Sequence, residues 1–229
     1  MSFGWCLTRD SGFLAQNKQQ IPFSGTGAIV SGNRAANMTT AGYGYFTGPA
    51  GIDDGGYTFP AFAMDFYFFG TNYGNQLNSG IYWNTNNVIG FGVTTNTISW
   101  VANTGRGVLI GNADRRTNTF WYSPVQSNKG FQYISMLLFA QNNYSDGIPN
   151  AIQWQIRMFR SSNLQYIEVS SSNSIAAPST AGAYNITNGT AFQNTFGSFT
   201  NLAQGGSYVL QSDGNGNNWT FFNNSYVNA

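Results

Sequence analysis

Along residues 152–158 the chain alternates, with Ile152, Trp154, Ile156 and Met158 on one side of an extended strand and Gln153, Gln155 and Arg157 on the other. A period of two is the mark of a β-strand. Ser161, Ser162 and Asn163 break the run before a second extended segment at 164–169, so the stretch predicts a β-hairpin. Another hairpin is predicted from 207–211 into 219–222, because Asp213-Gly-Asn-Gly-Asn-Asn218 between them consists largely of residues that accept positive φ. Further extended runs lie at 62–69, 80–83, 88–93, 97–102, 107–110, 119–123 and 131–139, and Gly, Asn, Ser or Pro fills most of the gaps. Short strands at this spacing predict an all-β fold, an antiparallel β-sandwich of jelly-roll-like type, with Trp154, Ile156, Phe66 and Phe68 in its core. The nearest approach to a helix is 182–199. It contains Gly189 and Gly197 and is rich in Thr and Asn, so it is expected to be a loop with one helical turn at most.

No linker or shift in composition divides the 229 residues, and a single domain is expected. Residues 1–50 are richer in Gly, Ala, Ser and Thr and are expected to form a glycine-rich arm or outer strands on a sandwich spanning 51–229. With 41% hydrophobic and 17% aromatic residues the chain can fill a core. That is the opposite of a disordered composition. Charge is what it lacks: nine Lys and Arg stand against eight Asp and Glu, 7% of residues in all, where a soluble domain has about 25%. Its polarity comes instead from uncharged groups, among them 29 Asn.

This inventory removes most chemistry. Without a histidine there is no imidazole base, no Ser-His-Asp system and no His-ligated metal. The lone Cys6 can form neither an internal disulfide nor a thiolate cluster. Arg115 and Arg116 are the only adjacent basic residues and read as a solvated turn or local ion pair, so no nucleic-acid partner is expected. The glycine-rich stretches at 24–28 and 41–45 match no phosphate-loop pattern, and no cofactor is expected. No apolar run is long enough to span a membrane, and Arg9 and Asp10 interrupt the N-terminus before a secretory signal could form.

Two constellations remain. Asp53 and Asp54 could be offered as a hydrolytic carboxylate pair, but adjacent strand residues point to opposite faces and Gly55-Gly56 favours a turn. Asp213, Asn215 and Asn217 imitate the start of a calcium loop. Asn218 and Asn224 then stand where Gly and Glu are required, and a hairpin turn is the simpler reading. Aromatics are the more open matter: Trp83, Trp121 and Tyr122 are the candidates to stack on sugar rings, against the ordinary alternative that they fill the core. Six N-x-S/T sequons, at Asn37, Asn143, Asn185, Asn188, Asn218 and Asn223, are about what this Asn, Ser and Thr content produces by chance.

One order of motifs is familiar. Asp53-Asp-Gly-Gly56, Phe66-Tyr-Phe-Phe-Gly70, Tyr73, Tyr82-Trp-Asn-Thr-Asn-Asn87 and Ile89-Gly-Phe-Gly92 resemble the opening of nidogen-like extracellular modules. Asn150-Ala-Ile-Gln-Trp-Gln-Ile156 and Asn163-Leu-Gln-Tyr-Ile-Glu168 are similar to the family's late hairpin. The likeness covers about half of the chain. Asn87 replaces the usual turn glycine, and the disulfides of animal members are missing. The resemblance implies a nidogen-like sandwich used for adhesion or assembly and carries no catalytic residues. The expectation is therefore a non-enzymatic structural protein at a virion surface, a capsid decoration, minor capsid subunit or fibre-tip module. Its partners would be copies of itself, as a homo-oligomer, and other virion proteins. The alternative is an extracellular glycan-binding adhesin or receptor-binding module.

Overall fold

The computed structural model describes residues 44–46, 56–59, 63–74, 80–85, 88–92, 105–110, 117–128, 130–140, 152–171, 175–187, 190–202 and 207–223. Asp53, Asp54, Arg115, Arg116, the strand expected at 97–102 and residues 1–43 and 47–50 of the expected arm lie outside them. The described strands are β1 (Gly44–Phe46), β2 (Gly56–Thr58), β3 (Tyr67–Phe68), β4 (Thr71–Asn72), β5 (Ile81–Asn84), β6 (Val88–Phe91), β7 (Gly105–Ile110) and β8 (Thr117–Tyr122). They continue as β9 (Gln126–Asn128), β10 (Phe131–Ala140), β11 (Ile152–Arg160), β12 (Leu164–Ser171), β13 (Ile175–Thr187), β14 (Thr190–Leu202), β15 (Ser207–Asp213) and β16 (Trp219–Asn223).

The larger sheet runs β1-β8-β10-β11-β12-β15-β16, with β9 on the same edge of β10 as β8 but further towards its start. The smaller runs β14-β13-β7-β6-β5-β2, and β3 with β4 forms a separate two-stranded hairpin. All pairings are antiparallel. Gly44–Phe46, inside the stretch expected as arm or outer strands, is the outermost strand of the larger sheet, opposite Phe120–Tyr122.

The core forms where alternation directs it. Ile134, Met136, Trp154, Ile156, Met158, Ile167, Val169, Tyr208 and Leu210 from the larger sheet meet Tyr57, Ile81, Trp83, Ile89, Phe91 and Val108 from the smaller in one buried cluster. Phe66 and Phe68 are also in it, so the fold is the all-β sandwich that the periodicity predicts. Phe68 stacks on Phe91 of the smaller sheet, with centroids 4.0 Å apart, and lies 5.2 Å from Trp219 of the larger. The β3–β4 hairpin is thus wedged between the two sheets by its aromatic rings. Such pairs contribute on the order of 1 kcal/mol beyond the area they bury.

Residues 182–199 correct the sequence reading. The expected loop is most of a long hairpin, β13 and β14, each thirteen residues. Weak helix propensity argues for a loop, but Thr is also a favoured strand residue. Clean alternation is missing because the ladder slips twice. Between Ala176 and Ser179 the extra residue is on β13, where Pro178 has no amide to donate. Between Ala183 and Asn185 the extra residue is on β14. Each bulge resets the period of two and hides it from a sequence scan.

The larger sheet is buried on its other face as well. Tyr133, Phe159, Tyr166 and Val209 form a second cluster there, flanked by Phe131, Leu164 and Phe222. Beside it, Arg157 and Glu168 sit directly opposite each other on β11 and β12, only 2% and 1% exposed. The guanidinium forks onto the carboxylate, Nε donating to Oε1 at 3.0 Å and Nη2 to Oε1 and Oε2 at 2.7 and 2.8 Å. Its carbon lies 4.8 Å from the Phe159 ring centre. Next along the same face, Gln155 donates to Ser135 Oγ at 3.1 Å, and the Ser135 amide donates to Ser123 Oγ at 2.8 Å.

Two outcomes follow. Removing one member of a buried ion pair strands the other charge, so Glu168→Gln is expected to cost about 3–5 kcal/mol, whereas Arg157→Met with Glu168→Leu should recover most of it; denaturant midpoints of the wild type and the two variants measure this. Burial also raises the Tyr208 hydroxyl well above its ordinary 10.0, and raises those of Tyr82 and Tyr133, the nearby Arg157 partly opposing the shift at Tyr133. Because the folded values lie above the unfolded ones, stability is complete below about pH 10 and declines above it, as the unfolded chain loses protons first. Tyr208→Phe should make that alkaline decline shallower in a pH series of unfolding curves.

Candidate functional site

The turn of the β3–β4 hairpin is Phe69-Gly70, with φ of 46° and 76°. Two successive positive values fit the two-residue turn whose twist matches an antiparallel pair. Glycine adopts that conformation at no steric cost, but a bulky residue does not. Phe69 is held there by two contacts: its ring meets Phe68 edge-on at 4.8 Å, and its amide donates to the Gly216 carbonyl at 2.6 Å. The hairpin base is closed by Asn72, whose Oδ1 accepts from the amides of Phe66 and Gly74, both at 3.1 Å, while its Nδ2 donates to Asp65 at 2.8 Å.

Against this tip lies the β15–β16 connection. The Asp213 carboxylate turns inward on its own loop, Oδ1 accepting from the amides of Asn215 and Asn217 at 3.1 and 3.2 Å. The loop then presents main-chain carbonyls outward: Asn215 accepts from the Gly70 amide at 3.2 Å, and Gly216 accepts from Phe69 and, at 3.0 Å, from Trp219 Nε1. Gly216 is required twice over. Its φ is +66°, and a Cβ there would sit 2.1 Å from the Tyr67 carbonyl oxygen.

Gln165 completes the interlock. Fully buried on β12, its side-chain amide behaves as a strand's peptide group would: Oε1 accepts from the Tyr67 amide at 2.7 Å, and Nε2 donates to the Tyr67 carbonyl at 3.0 Å and to that of Asp213 at 3.2 Å. Arg160 buttresses it, Nη1 reaching Gln165 Oε1 at 3.1 Å and the Gly214 carbonyl at 2.7 Å while the guanidinium covers the Tyr67 ring at 4.7 Å. On β7, Arg106 fastens the opposite side of the hairpin through Thr71 Oγ1 at 2.7 Å. One end of the sandwich is therefore a rigid assembly of hairpin and loop whose outward residues Asp213, Asn215, Asn217, Asn218 and Thr220 are exposed.

The calcium-loop candidates Asp213, Asn215 and Asn217 are thus brought together in a hairpin connection, with the one carboxylate bound to its own backbone. Among the described residues no three of His, Cys, Asp and Glu converge. Of the stacking candidates, Trp83 is corrected: it has no exposed surface and is part of the core, facing Ile89 across β5 and β6. Tyr122 is half-buried and packs on that core, and Trp121 lies on β8 between Tyr45 and Leu137. The three are not one surface. Gln165 and Arg160 went unnoticed in the sequence, where they read as the polar positions of a hairpin.

Comparison with family models, curated proteins and solved structures finds no match to this chain. Of the motifs quoted for the resemblance to nidogen-like modules, 53–55, 86–87 and 150–151 lie outside the described residues. Phe66–Gly70 leads into the hairpin tip, Tyr82–Asn84 belongs to β5 and Ile89–Phe91 to β6.

Gln165→Leu, close in size but without the amide, is expected to lose about 1–3 kcal/mol for each buried main-chain group at Tyr67 left without its partner. Hydrogen exchange should show the Tyr67 and Phe69 amides opening far more readily, with those of β11 little changed.

Proposed function

We propose that this chain is a non-enzymatic structural protein of a virion surface, a capsid decoration, minor capsid subunit or fibre-tip module, that acts through protein–protein assembly. The observation that carries this reading is the fate of the described carboxylates. Glu168 is forked by Arg157 in the interior, Asp213 binds its own loop, and Asp65 holds Asn72. Acid–base work needs a carboxyl within reach of a substrate proton; Glu168 is buried, and the Asp213 and Asp65 carboxylates each accept hydrogen bonds that hold the fold.

What the described end of the sandwich offers instead is a fixed surface of loop backbone and asparagine side chains. A rigid surface with little charge associates through shape and hydrogen bonding, with little ordering entropy to lose. A chain with a formal net charge of +1 also has little electrostatic repulsion between its copies. Both properties favour repeated packing on a lattice.

Quantitative mass spectrometry of purified particles from the source organism should find this chain at a fixed copy number per particle. Absence from particles, together with saturable binding on a glycan array, would replace this reading with that of a glycan-binding adhesin.

A further inference from the structure

β14 is the terminal strand of the smaller sheet. It pairs with β13 from Thr190 to Leu202, and no described strand pairs with its other edge. β16 passes beside β14 without forming a ladder with it. Five residues extend over roughly 17 Å against roughly 43 Å for thirteen, and no described strand forms a ladder along the rest of that edge. An edge of this kind carries amide and carbonyl groups directed away from the sheet, and proteins ordinarily block it with charge, proline or brevity. β14 has none of these. Thr-Ala-Phe-Gln-Asn-Thr-Phe-Gly-Ser-Phe-Thr-Asn-Leu contains no charged residue and no proline.

Its one irregularity is the bulge before Thr195, which leaves 195–202 without an extra residue on this strand. A two-fold axis between antiparallel strands passes through a residue facing its own copy. Centred on Ser198, it sets Phe199 opposite Gly197 and Phe196 opposite Thr200. An aromatic facing glycine and an aromatic facing a β-branched residue are both favourable cross-strand pairs. The first already occurs inside the sheet, where Phe196 lies opposite Gly182 of β13.

We infer that β14 is the self-association edge of this protein, pairing antiparallel with β14 of a second copy about Ser198 and joining two six-stranded sheets into one of twelve. The occupant is a second copy because the strand has no charge for a partner of opposite sign to read, while its own sequence is complementary to itself in this register. The inference rests on the assembly reading above and names the surface that assembly uses.

The test uses the full chain in analytical ultracentrifugation at micromolar concentrations, with circular dichroism to establish that each variant is folded. Wild type should dimerise. Ser198→Lys and Ser198→Glu each place like charges face to face and should weaken dimerisation at least about fivefold, and an equimolar mixture of the two should restore it as a heterodimer. As a second measurement that leaves size nearly unchanged, Ser198→Cys in a Cys6→Ser background should form a disulfide dimer under mild oxidation, and Thr190→Cys in the same background should not. A monomeric wild type, or a folded Ser198→Lys variant that dimerises as wild type does, overturns the inference. Particles that incorporate Ser198→Lys normally would leave the assembly reading intact and remove only this edge; a β14 dimer absent from all particles would do the reverse.

Discussion

Because β11 from 154 to 159 and β12 from 165 to 169 are buried on both faces, each polar residue there must find its partner within the protein, and much of the molecule is arranged around that requirement. On one face Trp154, Ile156, Met158, Ile167 and Val169 enter the sandwich core. On the other, Arg157 and Glu168 satisfy each other across the ladder, and Gln155 reaches Ser135. An unpaired charge at this depth would cost several kcal/mol, so the register of β11 against β12 is constrained by electrostatics as well as by shape. A slip of one residue would turn over the faces of one strand, part the ion pair and bring one of its charges into the core. Two strands fixed in this way provide a rigid centre on which β10 and β15 are laid on either side.

From that centre the polar contacts run towards one end of the sandwich. Leu164 and Gln165 begin β12 directly after the turn at 161–163, and Gln165 is both a ladder residue opposite Arg160 and Ser212 and the clasp on the hairpin tip. The aromatic wedge of Phe66 and Phe68 supplies the apolar half of the same attachment. Neither half is redundant. The rings bury area without direction, and the amide contacts specify where the tip sits.

The strands that could be read from sequence were those whose period ran unbroken. Ile152 to Met158 shows it plainly, and the asparagine-glycine connection at 213–218 marks its own turn. Three features were not visible. Pro178 and the bulge before Thr195 destroy the alternation of β13 and β14, so the longest strands looked like loop. Arg157 and Gln155 look like a solvent-facing row until it is known that the sheet is covered on both faces. Gln165 is an ordinary strand glutamine by every local measure; only the fold brings Tyr67, 98 positions away, against it. The candidate site was legible in its turn residues and illegible in the contacts that make it rigid, since those join segments far apart in the chain.

The interlock also has a consequence for how this protein can change. Gln165, Asn215 and Gly216 contact main-chain atoms of Tyr67, Phe69 and Gly70. The grip is on peptide groups, which nearly every residue possesses. Side chains on the outward side of the loop, Asn215 among them, can therefore be replaced without loosening the attachment beneath them, so long as Gly216 keeps its place. Such an end can present a succession of different surfaces to a changing partner while its position on the scaffold stays the same.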